Sequence, residues 1–283
     1  MTMTYTEYAA LPGLRFSDLS RLAISPACYQ ARAHVEREAG DTVAMALGRA
    51  AHAAILEPDV FARTFTRRPE EWADWRSKAS QEWRKEAERA GSTVLDSTDY
   101  TRVAAMARAV HNDALACRHL RDGAAEQVIQ WQRPDGRRCK ARLDWLGRVD
   151  GHAVIVDLKT TRLATRQAFG RAAAAYHYYA QLAWYLDGLI AAGEPMAEAR
   201  IITVGTLAPH DVVVYRLTGD QLDGGWMLCA RWLAILEECE QTDSWPGIGE
   251  GKEQILDLPP WAYPGDGDDL ADLNLDLGGE GTP

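Results

Sequence analysis

Three consecutive strand-like segments near the middle of the chain constrain its fold more than any other feature. Residues 127–132 and 138–146 alternate as strands do, and the turn sequence Pro134-Asp135-Gly136 lies between them. Asp150-Gly151 forms a second turn before the apolar segment 153–159. Because short turns join strands that run in opposite directions, these segments predict an antiparallel meander.

Helical patterns precede and follow this meander. The first 120 residues read as helical, and an Ala-rich helix is expected over 43–56. The elements expected downstream are a helix over 169–192, strands over 200–207 and 211–217, and a helix over 221–239. This order predicts an α/β fold in which helices flank a central mixed sheet, behind a helical N-terminal part.

The negative charge of the chain is concentrated at its C-terminal end. The net charge of the 283 residues is −10, and residues 250–283 carry nine acidic side chains against Lys252 alone, a net charge of −8. A segment this acidic, and rich in Gly and Pro, is expected to be disordered. We therefore expect one domain over 1–249, with a helical front over 14–120 and a core over 121–240, followed by an acidic tail.

The remainder of the chain is close to neutral and contains one basic, aromatic segment. Residues 63–89 hold eight Lys and Arg side chains, interleaved with Trp72, Trp75 and Trp83. Such a segment can bind a polyanion, although a solvated helix face with tryptophan anchors produces the same pattern.

Several classes of protein are disfavoured by the sequence. It has no apolar run of eighteen residues and no basic start followed by an apolar segment, so we expect a cytoplasmic protein without a membrane span. Five cysteines without a CxxC pair argue against a disulfide framework, a zinc ribbon and a four-cysteine iron–sulfur cluster. The sequence also lacks the P-loop motif, which argues against ATP binding of that kind.

Charged side chains interrupt the apolar strands of the meander. Strand alternation predicts that Lys140, Arg142 and Asp144 share one face of the second strand, and that Asp157 and Lys159 share one face of the third. A carboxylate and an ammonium within a strand of Val, Ile and Leu are costly unless they are paired or functional.

The two aspartates of these strands are expected to lie side by side. A short turn joins their strands, which places Asp144 and Asp157 near the same end of the sheet. Two hard oxygen donors so placed suit Mg²⁺ or Mn²⁺. The alternative is a cross-strand salt bridge, in which Lys159 or Arg142 pairs with one of the aspartates.

The same strands make the chain similar to a known family. Residues 125–131, 138–144 and 156–161 resemble the nuclease core of the RecE-type exonucleases (exonuclease VIII), members of the PD-(D/E)XK superfamily. Three other segments match in the same order, namely 19–29, 48–58 and 176–185. The resemblance covers residues 14–188 and implies a restriction-endonuclease-like PD-(D/E)XK core.

The resemblance implies a role for each residue that matches a motif. It makes His52, Asp144 and Asp157 the ligands of one or two Mg²⁺ or Mn²⁺ ions. The carbonyl of Leu158 becomes a further metal donor, and Lys159 becomes the catalytic lysine. A bound metal would activate the attacking water and neutralise charge on the phosphate.

Three further side chains are candidates at the same centre. Glu126 is a candidate outer ligand or base, although an exposed residue at the start of a strand would look the same. Gln181 and Tyr185 lie four residues apart on one helix face, where they would contact the cleaved strand or orient Lys159. Their alternative is a helix stripe packed on the sheet. The cationic side chains expected to hold DNA phosphates are Arg49, Lys140, Arg142, Arg162 and Arg166.

The function that the resemblance implies is a metal-dependent exonuclease on double-stranded DNA ends. It implies 5′-to-3′ polarity, release of 5′-mononucleotides, a ring-shaped homo-oligomer, and a single-strand annealing protein as partner in phage-type recombination. One alternative is a related nuclease that acts on single-stranded or branched DNA in repair or CRISPR-type defence. Another is a non-catalytic DNA-binding factor with the same fold.

Overall fold

The computed structural model describes residues 3, 5–31, 43–72 and 74–259, and the chain divides into two units, Met1–Pro246 and Gly247–Pro283. In the second unit, the described residues 247–259 contain no helix or strand. The acidic residues beyond 259, for which we predict disorder, lie outside the described part of the chain.

The first unit contains all the helices and strands that the structure describes. The helices are α1 (Tyr5–Ala10), α2 (Phe16–Leu19), α3 (Pro26–Gln30), α4 (Val43–Leu56), α5 (Pro58–Thr64), α6 (Lys78–Arg89), α7 (Ser97–Asn112), α8 (Ala114–His119), α9 (Arg166–Ala175), α10 (Tyr178–Ala191) and α11 (Gly219–Thr242). The strands are β1 (Phe65–Arg67), β2 (Thr93–Leu95), β3 (Gly123–Gln132), β4 (Arg138–Val149), β5 (His152–Thr161), β6 (Glu198–Gly205) and β7 (Val212–Arg216). A short 3-10 turn (Ser20–Ala23) follows α2. No helix within these described ranges is long and apolar enough to cross a membrane.

The central sheet has five strands in the order β3-β4-β5-β6-β7. The first three form the expected antiparallel meander, β6 pairs with β5 in parallel, and β7 closes the sheet antiparallel to β6. The parallel pair requires a crossover, which α9 and α10 provide. The expectation of a mixed sheet flanked by helices is therefore confirmed.

The first hairpin of the meander turns where the sequence predicts it. Gly136 has a φ of +84°, a conformation that only glycine adopts without strain. The side chain of Asp135 accepts a hydrogen bond from the amide of Arg137 at 2.9 Å, which closes the turn.

Each face of the sheet is covered by its own hydrophobic core. On one face Ile155 and Ile201 pack with α10 and α11, and this first core includes Leu182 and Trp184. On the other face the second core is formed with α4 and α7, whose small alanines allow close approach; its strand and α4 members include Val154, Val156, Leu158, Ala50 and Ala51. Alternate residues of β5 thus enter opposite cores, as the strand period predicts.

Two helices expected to be continuous are interrupted. The helix expected over 169–192 is divided into α9 and α10, because His177 adopts a left-handed backbone with a φ of +55°. Within the first 120 residues, for which a helical pattern is expected, the sequence 97–116 predicts one helix. That helix breaks at Asp113, whose side chain caps α8 by accepting a hydrogen bond from the amide of Ala116 at 2.7 Å.

The basic, aromatic segment 63–89 makes many of its contacts with itself. The ring of Trp83 lies 5.4 Å from that of Trp72 and 6.4 Å from that of Trp75. Four of the cationic side chains pair with carboxylates of the same segment: Arg67 with Glu70, Arg76 with Asp74, Lys78 with Glu82 and Arg84 with Glu88. Because these cations are paired within the segment, the structure favours a solvated helix face with tryptophan anchors over a surface that binds a polyanion.

Candidate active site

The two strand aspartates come together where β4 and β5 separate. The last paired residues of these strands are Trp145 and Val156; Asp144 precedes Trp145 in β4, and Asp157 follows Val156 in β5. One oxygen of Asp144 accepts a hydrogen bond from the amide of Leu158 at 2.8 Å, which ties the carboxylate to the neighbouring strand. The structure therefore brings the two carboxylates to one end of the sheet.

Asp157 forms an ion pair with Lys159 below the surface. The carboxylate is 2% exposed, and its Oδ2 lies 2.6 Å from the Nζ of Lys159. Burial raises the pKa of Asp157, Lys159 opposes that shift, and the negative charge of Asp144 adds to it. Burial alone would lower the pKa of Lys159, but Asp157 and Asp144 outweigh it and raise that pKa. Lys159 is therefore a protonated ammonium in this arrangement.

His52 approaches the two aspartates from α4, which packs on the second-core face of the sheet. It projects from α4, and its Nδ1 lies 3.7 Å from the Oδ2 of Asp144. The neighbouring Ala50 and Ala51 are fully buried, and a Cβ on Gly48 would lie 3.8 Å from the hydroxyl of Thr160. Small side chains thus allow α4 to pack closely on β5.

The strand alternation changes beside Asp144. Ala125 of β3 and Trp145 of β4 contact the second core, whereas Ile129 and Leu143 contact the first, so side chains switch faces in between. The switch occurs where Glu126 has a φ of +56° and is not paired with Asp144 in the ladder. The strand alternation that predicts a shared face for Lys140, Arg142 and Asp144 is therefore interrupted directly after Leu143, and the shared face stays a prediction.

Glu126 is a half-buried carboxylate next to this centre. Its Oε2 lies 2.8 Å from the Nε of Arg142. Burial raises the pKa of Glu126 to about 7; Arg142 opposes the shift, and the charges of Asp144 and Glu57 add to it. Glu57 was not among the candidates from the sequence, although it lies only five residues after His52.

The expected helix stripe lies on the Asp157 side of the sheet. The amide of Gln181 donates to the hydroxyl of Tyr185 at 2.7 Å. Burial raises the pKa of Tyr185 well above its usual range, and the charges of Asp157 and Asp144 raise it further. Sequence reasoning did not identify Tyr178, whose ring centroid lies 4.7 Å from the Nζ of Lys159. Its position three residues before Gln181, on the same helix face, is the signal that was available.

The cationic residues expected to bind DNA differ in their exposure and in their pairing with carboxylates. Arg49, Arg162 and Arg166 are exposed, whereas Arg142 pairs with Glu126. Arg142 also lies 5.2 Å from the ring centroid of Tyr5 in α1.

Lys140 differs from the expectation for it. The side chain is 3% exposed, and its ammonium donates to the carbonyl oxygens of Tyr8 at 2.9 Å, Ala9 at 3.1 Å and Leu11 at 2.6 Å. It therefore neutralises the carbonyl end of α1. The prediction that it contacts a DNA phosphate is incompatible with this placement, because the charge is buried and already bonded.

The donor set of the centre suits a hard divalent cation. Asp144, Asp157 and Glu126 supply oxygens, and His52 supplies a nitrogen. The charge of Asp144 raises the pKa values of both Glu126 and Asp157, which indicates a concentration of negative charge that a cation would relieve. The ammonium of Lys159 provides part of this compensation. Within the described residues, no three His, Cys, Asp or Glu side chains are grouped so that they could hold a metal ion.

Comparison with known proteins adds a family and a fold. A family model described as "PDDEXK-like domain of unknown function (DUF3799)" matches residues 15–256. The crystal structure of a "Putative exonuclease" from Eubacterium rectale is similar in fold, with a TM-score of 0.62 and 13% identity over 98% of this chain and 100% of that chain. The crystal structure of SSO0001 has a TM-score of 0.28 and 12% identity over 55% of this chain and 69% of that chain. No curated protein matches the sequence.

Proposed function

The chain belongs to the PDDEXK-like family DUF3799, and on that basis we propose that it is a metal-dependent exonuclease that hydrolyses DNA. Membership confirms the superfamily expected from the sequence. PD-(D/E)XK nucleases generally use divalent metal ions. The resemblance to RecE-type exonucleases supports the finer proposal of double-stranded ends as substrate, 5′-to-3′ polarity and mononucleotide products.

One observation carries the proposal, namely the convergence of Asp144, Asp157 and Lys159 where β4 and β5 separate. Asp157 is a buried carboxylate paired with the protonated Lys159, and Asp144 beside them is partly exposed. Two carboxylates and one ammonium are the groups that phosphodiester hydrolysis needs. A bound divalent cation would supply an activated water and neutralise developing charge on the phosphate.

We assign different residues of this chain to metal binding and to hydrogen bonding with the substrate. We assign the binding of the cation to His52, Asp144 and Asp157, with the Leu158 carbonyl as a further donor. To the ammonium of Lys159 we assign hydrogen bonds to the attacking water or to a phosphate oxygen.

We assign a positioning role to two further side chains. Gln181 donates a hydrogen bond to the buried hydroxyl of Tyr185, and the charges of Asp157 and Asp144 raise the pKa of that hydroxyl, which supports the assignment. To the exposed Arg49, Arg162 and Arg166 we assign contacts with backbone phosphates, which would orient a substrate without reading its sequence.

Mg²⁺ is the proposed physiological ion, with Mn²⁺ as a substitute, because the donors are hard oxygens and one imidazole. A ring-shaped homo-oligomer, a single-strand annealing partner and a role in phage-type recombination are proposals that the sequence resemblance alone supports. A ring would add the fields of several copies around one DNA channel and so compensate for the near-neutral first unit.

The test is degradation of end-labelled linear duplex DNA by the full chain, with Mg²⁺ and with EDTA. We expect mononucleotide release that needs the metal, and a loss of roughly a hundredfold or more in Asp157→Asn. Asp150→Asn is the matched control, because Asp150 is an exposed aspartate in the turn between β4 and β5.

Three additional substrates make the assay more specific. Labels at either end give the polarity, single-stranded DNA tests the alternative substrate, and closed circular duplex tests the need for an end. Full activity of Asp157→Asn would contradict the proposed site, and rapid cutting of closed circles would contradict an exonuclease.

A further inference from the structure

Four aromatic rings form a continuous stack beside Lys159. Tyr176 stacks on Tyr178 with centroids 5.8 Å apart, Tyr178 on Phe169 at 6.0 Å, and Phe169 on Tyr215 at 5.1 Å. The inner rings are covered by one another, but Tyr176 at the end of the stack is 66% exposed. The stack therefore ends in an open aromatic face.

This open face lies close to the candidate active site. The ring centroid of Tyr178 is 4.7 Å from the Nζ of Lys159, and the stacking distance keeps the ring of Tyr176 within about 11 Å of that ammonium. Successive nucleotides of one DNA strand are about 3.4 Å apart along a duplex. A base within a few nucleotides of a phosphate at Lys159 can thus reach Tyr176.

The backbone adopts an unfavourable conformation to create the stack. Residues two apart in a continuous helix point away from each other, so Tyr176 and Tyr178 could not stack within one helix. The interruption at His177 makes the stack possible, and its φ of +55° is unfavourable for a residue other than glycine. The His177 ring packs at 5.2 Å from that of Trp232 in α11, which holds the interruption in place.

We propose that Tyr176 is a stacking subsite for an unpaired nucleobase at the DNA end being degraded. This inference rests on the proposed nuclease function and adds a contact to the base, whereas Lys159 and the metal ligands would contact the phosphate. Bases stack on aromatic side chains with little regard to sequence, as an exonuclease without sequence preference requires. The exposed cations Arg162 and Arg166 follow β5 nearby, and an aromatic face with flanking cations is typical of single-strand binding surfaces.

The test measures binding of full-length protein that carries Asp157→Asn to prevent cleavage. The ligand is a fluorescent duplex with a three-nucleotide single-stranded end, compared with the same duplex whose end nucleotides are abasic. Tyr176→Ala should weaken binding of the base-bearing end roughly ten- to a hundredfold and leave binding of the abasic end unchanged. Tyr176→Phe should retain the wild-type preference, because the ring is kept.

Two controls make the result specific. Met227→Ala, which removes an exposed apolar side chain from α11, should leave both affinities unchanged. Tyr176→Trp should bind with fluorescence quenching by the base-bearing end alone. Equal losses on both ends, a Phe variant as weak as the Ala variant, or no quenching would each overturn the subsite.

Failure of the subsite and failure of the proposed function are distinguishable. If wild-type protein degrades DNA with Mg²⁺ but Tyr176→Ala binds both ends normally, the subsite is refuted and the nuclease proposal stands. If wild-type protein does not degrade DNA but the base-dependent loss is measured, the subsite stands as a binding site and the nuclease proposal is refuted.

Discussion

Replacement of Gly225 by alanine should destabilise the contact between α10 and α11. A Cβ at this buried position would lie 2.6 Å from the carbonyl oxygen of Tyr179 and 2.9 Å from the Cβ of Ala183, both in α10. Such overpacking costs about 1–3 kcal/mol, and contact with the backbone favours the upper part of that range. Alanine recovers about 1 kcal/mol through its helix propensity, so the net loss should be about 2 kcal/mol.

Gly224→Ala is the matched control for this substitution. It lies in the same helix, but a Cβ there would meet no atom within 4 Å. Gly224→Ala should therefore gain up to about 1 kcal/mol, which raises Tm by about 2–4 °C, whereas Gly225→Ala should lower Tm by about 4–8 °C. Thermal unfolding followed by circular dichroism measures both. Equal stability of the two variants would show that the helices are not in contact as described.

Two other substitutions test buried polar groups. Lys140→Met should lower the free energy of unfolding by about 2–4 kcal/mol, because three carbonyl oxygens lose a charged donor; an unchanged urea midpoint would contradict the buried role. Burial, reinforced by Arg200 and Arg118, lowers the pKa of His119. The unfolded chain therefore takes up a proton at this residue before the folded chain does, and stability should fall as pH decreases below about 6.5. His119→Phe should reduce that slope in urea unfolding between pH 8 and pH 5.

Much of the fold was accessible from local patterns. The turn sequences Pro134-Asp135-Gly136 and Asp150-Gly151, together with the alternation of the strands, predict the meander. In the structure both Gly136 and Gly151 have a positive φ. The Ala-rich helix α4 was predicted because its end is marked by Pro58. The interruption at His177 was not predicted, since it depends on packing against Trp232, which lies more than fifty residues away in sequence.

In the candidate site, too, some features follow from local sequence patterns and others depend on distant packing. The convergence of Asp144 and Asp157 follows from strand period and a short turn, and the structure brings the two residues together. Lys140 has the same sequence pattern as a site residue, but its ammonium lies against the end of α1, about 130 residues away in the chain.

Sequence periodicity thus identified the strands, their order in the meander and the carboxylates at its end, because side-chain direction and turn geometry are local properties. Long-range packing placed the ammonium of Lys140 against the end of α1, interrupted the strand alternation beside Glu126 and stacked Tyr176 on Tyr178. Those features depend on which distant segments approach one another, and the free energy of such contacts has no periodic signature in the sequence.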